Sequence, residues 1–188
     1  MRKEQKANYP ESARGAAALL VRMVLEDGAY TNIALNQYLR GSRLSDLDRR
    51  LATELVYGTV KASGTLDWYL AQCVSRPLDK VAGDILAILR ISTYQLLYMT
   101  RIPASAAVNE AVKLARSVSH EGSAKFVNGV LRGLLRKQEA GAFVLPDAEK
   151  QDADYLSLKY YHPRWLVKRW LGPWGRGGTE RLLTFDNT

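Results

Sequence analysis

The stretch AGDILAILRISTYQLLYM, residues 82–99, decides the fold. Ile85, Leu86, Ile88, Leu89, Ile91, Tyr94, Leu96 and Leu97 are spread around the whole circumference of a 3.6-residue helix and leave little room for a polar face. A helix apolar nearly all round belongs at the centre of a bundle, and the spacing predicts at least five other helices around it. The stretch is short of uninterrupted apolar sequence, and no run in the chain approaches the roughly 18 residues of a membrane span.

Working outward, the apolar period stays at three to four and never alternates. Ser12 is placed to cap a first helix ending near Gly28, with Ala13, Ala17, Leu20 and Val24 on one face. A short second helix covers 32–39 and stops before Gly41. Ser45 or Asp46 opens a third, with Leu47, Leu51 and Leu55 as its buried stripe. Gly58 lies inside it at a cost of roughly 1 kcal/mol against alanine, which implies close packing there. Gly64 and Thr65 are read as the start of a fourth helix, ended by Arg76-Pro77. Beyond Pro103 a helix faces Val108, Ala111, Ala115 and Val118 inward and Asn109, Glu110, Lys113 and Arg116 outward. Ser123 is read as the cap of the next, with Phe126, Val127, Val130, Leu131 and Leu134 inward. The expected class is all-α, a bundle of about seven helices followed by a short helical C-terminal extension.

Hydrophobic content of 47% over 188 residues is enough for a proper core, so global disorder is excluded. The polar start MRKEQKANYPES lacks the apolar stretch of a signal peptide, and the single Cys73 fits a reducing compartment. A cytoplasmic location is therefore expected. One cysteine with His120 and His162 cannot complete a tetrahedral Cys/His zinc site, so no metal is expected. Cys73 has no basic neighbour before Arg76 and reads as a small buried hydrophobe rather than a nucleophile. Gly172, Gly175, Gly177 and Gly178 follow a short helical pattern over 162–171, not a strand. They make a turn, not a dinucleotide loop.

The net charge of +8 fits a polyanion partner, and it fits plain solubility equally well. Placement of the charges discriminates. Lys125, Arg132 and Arg136 lie 7 and 11 positions apart, close to two and three whole helical turns, with Gly129 between them. A basic stripe of that kind suits a phosphate track, and a solvated face is the alternative. Arg14 and Arg22 make a weaker pair on the first helix, preceded by Arg2, Lys3 and Lys6 in a flexible basic arm over 1–11.

Four ordered motifs carry a family likeness: DRRLATELVYGTV (48–60), LRI with YQLL (89–97), AAVNEAV (106–112) and FVNGVLR (126–132). Together they resemble the NusB-like RNA-binding domain over 12–137. Such domains occur as free-standing transcription antitermination factors. They also form the N-terminal part of the RsmB/Sun/Fmu family of 16S rRNA cytosine-C5 methyltransferases. After a linker over 138–150, the stretch YLSLKYYHPRWLVKRW (155–170) resembles the start of the methyltransferase region, so 151–188 is read as that region cut short.

The resemblance implies an RNA-binding fragment that positions 16S rRNA for a C-terminal catalytic domain absent from this chain. In the parent enzyme, S-adenosylmethionine supplies the methyl group and a cysteine thiolate adds to the pyrimidine ring. None of those catalytic motifs occurs here, so no catalytic residue and no cofactor site is expected in this chain. The alternative is an antitermination factor that binds RNA and a protein partner. The resemblance adds Phe126 and Asn128 to the RNA-binding set of Arg14, Arg22, Lys125, Arg132 and Arg136. Phe126 has an equal claim to a core position at its helix spacing.

Overall fold

A computed structural model describes residues 8–187, so Arg2, Lys3 and Lys6 of the expected arm lie outside the described residues. All regular structure among these residues is helical. The helices are α1 (Ala13–Leu25), α2 (Thr31–Gly41), α3 (Asp46–Ala71), α4 (Gly83–Tyr98), α5 (Ala104–Val118), α6 (Glu121–Glu139), α7 (Asp152–Tyr160) and α8 (Arg164–Asp186), with a 3-10 turn at Leu78–Lys80.

The apolar segment becomes α4, and Ile85 to Leu89 with Ile91 are buried along it. It packs against α1, α3, α5 and α6, four main neighbours rather than the expected five or more, because α2 packs on α1 and α3 instead. The approach of α1 follows from its small residues. Ala16, Ala17 and Ala18 are fully buried, so backbones meet closely where larger side chains would hold them apart. Ser12 caps α1 by accepting the Gly15 N–H at 3.1 Å. The helix ends at Leu25, short of Gly28, which takes a left-handed φ of 74° in the following turn.

The expected third and fourth helices are one. α3 runs through Gly58 and Gly64 without a break. Burial of Ala62, Thr65, Leu66 and Leu70 outweighs the weak helix propensity of a single exposed glycine. The expected bundle of about seven helices therefore has six α-helices and the 3-10 turn. Gly58 is there for its missing side chain: a Cβ would lie 2.1 Å from the Tyr94 ring. Two further positions differ. Leu47 is 77% exposed, not part of the buried stripe. His120, not Ser123, caps α6, its Nδ1 accepting the Ser123 N–H at 3.3 Å.

The periodicity fades at Gln138, but α6 continues to Glu139, and the connection that follows is anchored by Phe143 edge-on to Tyr69 at 4.8 Å. Helices α7 and α8 enclose a small core of Leu156, Val167 and Leu183, with Trp170 half-buried beside it and Trp165 and Trp174 exposed. The glycine cluster lies in α8, which bends at Gly175, where φ is 59° and ψ is −178°. His162 is buried at the junction, with Nε2 2.7 Å from the Asp186 carboxylate. Tyr161 meets Tyr98 of α4 at 4.7 Å, and Lys61 of α3 pairs with Asp186 at 3.4 Å, so the extension leans on the bundle.

Two outcomes follow from the packing of α4. Leu89→Ala should lower stability by about 2–5 kcal/mol in urea titration, and a loss below about 0.5 kcal/mol would contradict the central placement. Gly58→Ala should cost about 1–3 kcal/mol through overpacking. Pairing it with Tyr94→Ala should cost less than the sum of the two single changes, because the clash disappears; strict additivity would rule out the close approach of Tyr94 to Gly58.

Candidate nucleic-acid interface

Helix α6 presents the basic stripe because its other side is fixed. Ala124, Val127, Val130, Leu131 and Leu134 are all buried, against α5 and α4 above all. With that face turned inward, a 3.6-residue repeat leaves Lys125, Gly129, Arg132 and Arg136 on the opposite one. These three cations make no ion pair among the described residues. Arg132 Nε donates to Asn128 Oδ1 at 2.9 Å, which holds the guanidinium along the helix surface. Gly129 has open space where a Cβ would stand, so a ligand backbone can approach the helix directly. Glu121, the acidic residue at the head of the helix, is bound instead to Arg116 of α5 at 2.6 Å. That hydrogen bond holds its carboxyl below the usual carboxylate range.

Phe126 is half-buried against the edge of the core, and the Arg76 guanidinium lies over its ring at 4.7 Å. Around them Arg76, Lys80, His120, Ser123 and Phe126 line a notch of about 270 Å³. Arg76 and Lys80 are absent from the set that the sequence suggests. Their only local signal is Pro77 as a helix stop, and nothing local links them to Phe126, some fifty positions on. Lys137, one residue past the stripe, instead donates to the Gln72 carbonyl.

Arg14 and Arg22 do share one face of α1, but that face looks at α4. Arg14 Nε donates to Gln95 Oε1 at 2.8 Å, and Arg22 pairs with Asp84 at 2.9 Å. Asp84 also accepts the hydroxyl of Tyr9, so the chain just before α1 is tied to the head of α4. These two arginines are seam residues of the bundle and are not gathered with the α6 stripe.

Cys73 packs at the core edge, and burial pushes its thiol above the ordinary range, with Lys137 opposing only in part. Among the described residues no group of three His, Cys, Asp or Glu side chains is placed to hold a metal, and no helix is long and apolar enough to cross a membrane.

Residues 11–136 match the NusB family. The probable ribosomal RNA small subunit methyltransferase B of Synechocystis sp. is 40% identical over 176 residues, which are 94% of this chain and 39% of that protein. The protein of the same description from Bacillus subtilis is 36% identical over 171 residues, 91% of this chain and 37% of its own length. The chain thus spans about two fifths of the curated relatives it matches. Among solved structures, antitermination factors NusB and NusE in complex with dsRNA share the fold at TM-score 0.61 and 21% identity, over 68% of this chain and 96% of that one. PH0851 does so at TM-score 0.69 and 19% identity, over 98% of this chain and 40% of that one. The motifs, the helical bundle and the match over 11–136 agree: the chain belongs to the NusB family.

Proposed function

We infer that this chain is the RNA-binding part of a cytoplasmic, S-adenosylmethionine-dependent 16S rRNA cytosine-C5 methyltransferase. In this reading it positions rRNA for a catalytic domain that lies outside residues 1–188. The observation that carries the RNA assignment is the stripe of Lys125, Arg132 and Arg136 on the outer face of α6, open at Gly129. Three cations without carboxylate partners are free to neutralise phosphates and release counterions. Phe126 and Asn128 flank the stripe, and Arg76 and Lys80 extend its positive field toward the notch. In this reading Arg14 and Arg22, which lie on the seam of α1 with α4 rather than in the stripe, add positive field and not direct phosphate contacts.

The methyltransferase context is supported by the two relatives and by the extension. The NusB–NusE structure is used almost to its full length in matching 68% of this chain, whereas PH0851 matches 98%. An antitermination factor accounts for the bundle and leaves α7 and α8 without a role. In this reading the chain itself holds no S-adenosylmethionine, and its glycine cluster lies in α8 rather than after a strand. The chain alone should therefore give no heat with S-adenosylmethionine in calorimetry and transfer no methyl group. A micromolar dissociation constant would contradict this division of labour.

Replacing Lys125, Arg132 and Arg136 together by alanine should weaken binding to a 16S rRNA hairpin similarly across sequences, because phosphates carry no base identity. The slope of log affinity against log salt should become shallower by about 0.7 for each phosphate no longer neutralised, if the bound RNA is single-stranded. Stability should hardly change, because exposed charges add little to it. Fluorescence anisotropy over a salt series measures the slope. An unchanged slope and affinity in a folded variant would reduce the stripe to a solvated face.

A further inference from the structure

The N-terminal end of α3 carries a second surface, to which none of the α6 stripe residues contributes. Leu47, Arg50, Leu51 and Glu54 are spaced i, i+3, i+4 and i+7 and share one side of the helix. Arg101 and Ile102, from the turn between α4 and α5, and Arg14 from α1 close that side into a groove of about 500 Å³. Its floor is aliphatic. Leu47 keeps the phase of the buried stripe yet is 77% exposed, and Leu51 and Ile102 beside it are half-buried. Leu51 and Ile102 pack against the core on one side, which leaves Leu47 as an uncovered leucine in register with the core stripe at the mouth of the groove.

The rim is cationic. Arg14 uses only its Nε on Gln95, so its terminal nitrogens have no partner among the described residues. Arg101 is braced by Glu54. Arg50 is exposed and makes no ion pair among the described residues. Three guanidinium groups thus face one carboxylate.

We propose that this groove docks an acidic amphipathic helix of a protein partner, its apolar residues on Leu47, Leu51 and Ile102 and its carboxylates on Arg14, Arg50 and Arg101. Helix-in-groove recognition needs an apolar floor with a charged rim, and guanidinium groups match carboxylates bidentately. Single-stranded RNA is held largely by bases stacked on aromatic side chains, and none lines this groove. The surface is independent of the α6 stripe.

The test is fluorescence anisotropy on the full chain with a labelled 18-residue peptide carrying leucine at i, i+4, i+7 and i+11 and glutamate at most other positions. A shuffled peptide of the same composition is the control. Micromolar binding of the amphipathic peptide, at least tenfold tighter than the shuffled one, is expected. Leu47→Asp and Arg50→Glu, both at exposed positions, should each weaken it at least tenfold, while the Lys125, Arg132 and Arg136 alanine variant should bind it as before. Equal affinity for the two peptides would reveal plain charge attraction and overturn the proposal. So would unchanged binding in both groove variants, or loss of rRNA hairpin binding in Leu47→Asp with no peptide binding at all.

Discussion

The bundle depends on the burial of α4 from every side. A helix with apolar residues around its circumference cannot rest on a surface, because any uncovered face leaves leucine and isoleucine in water at about 1.5–3 kcal/mol each. Covering it takes α1, α3, α5 and α6 together, and that requirement fixes the azimuth of each neighbour. Alanine-rich α1 can come close only with its small side inward. Helix α6 must turn Val127, Val130, Leu131 and Leu134 toward the centre, and the outward position of Lys125, Arg132 and Arg136 follows from that. The basic face is a by-product of how the core is filled.

The same constraint explains the polar pairs around α4. Asp84 at its head receives Arg22 and Tyr9, Arg90 forks onto Asp67 of α3 with two bonds at 2.8 Å, and Gln95 receives Arg14. Each of these groups lies against a largely apolar helix, Gln95 fully buried, where an unpaired charge or amide costs far more than the pair gains.

Much of this is legible in the residues. The all-round apolarity of 82–99 marks the central helix, and the 3.6-residue phase places Lys125, Arg132 and Arg136 together, because both are local properties of one helix. What local pattern cannot supply is long-range pairing. Arg14 and Arg22 do fall on one face, but their partners are 81 and 62 residues away, and only the packing shows that the face is a seam. Arg76 over Phe126 is another such meeting. Gly64 looks like a boundary because propensity favours one, and tertiary burial on both sides overrides it. Leu47 has the right phase and the wrong environment, since the stripe of α3 outruns the core that it faces.

The central claim is that the outer face of α6 is where RNA lies. Amide and arginine side-chain NMR shifts of the isotope-labelled chain, titrated with a 16S rRNA hairpin, test it most directly. The account predicts the largest changes at the amides of Gly129 and Gly133 and at the Nε–H groups of Arg132 and Arg136, with Arg14 and Arg22 little moved. Changes confined to α7 and α8, with the α6 signals unmoved at saturating RNA, would contradict it.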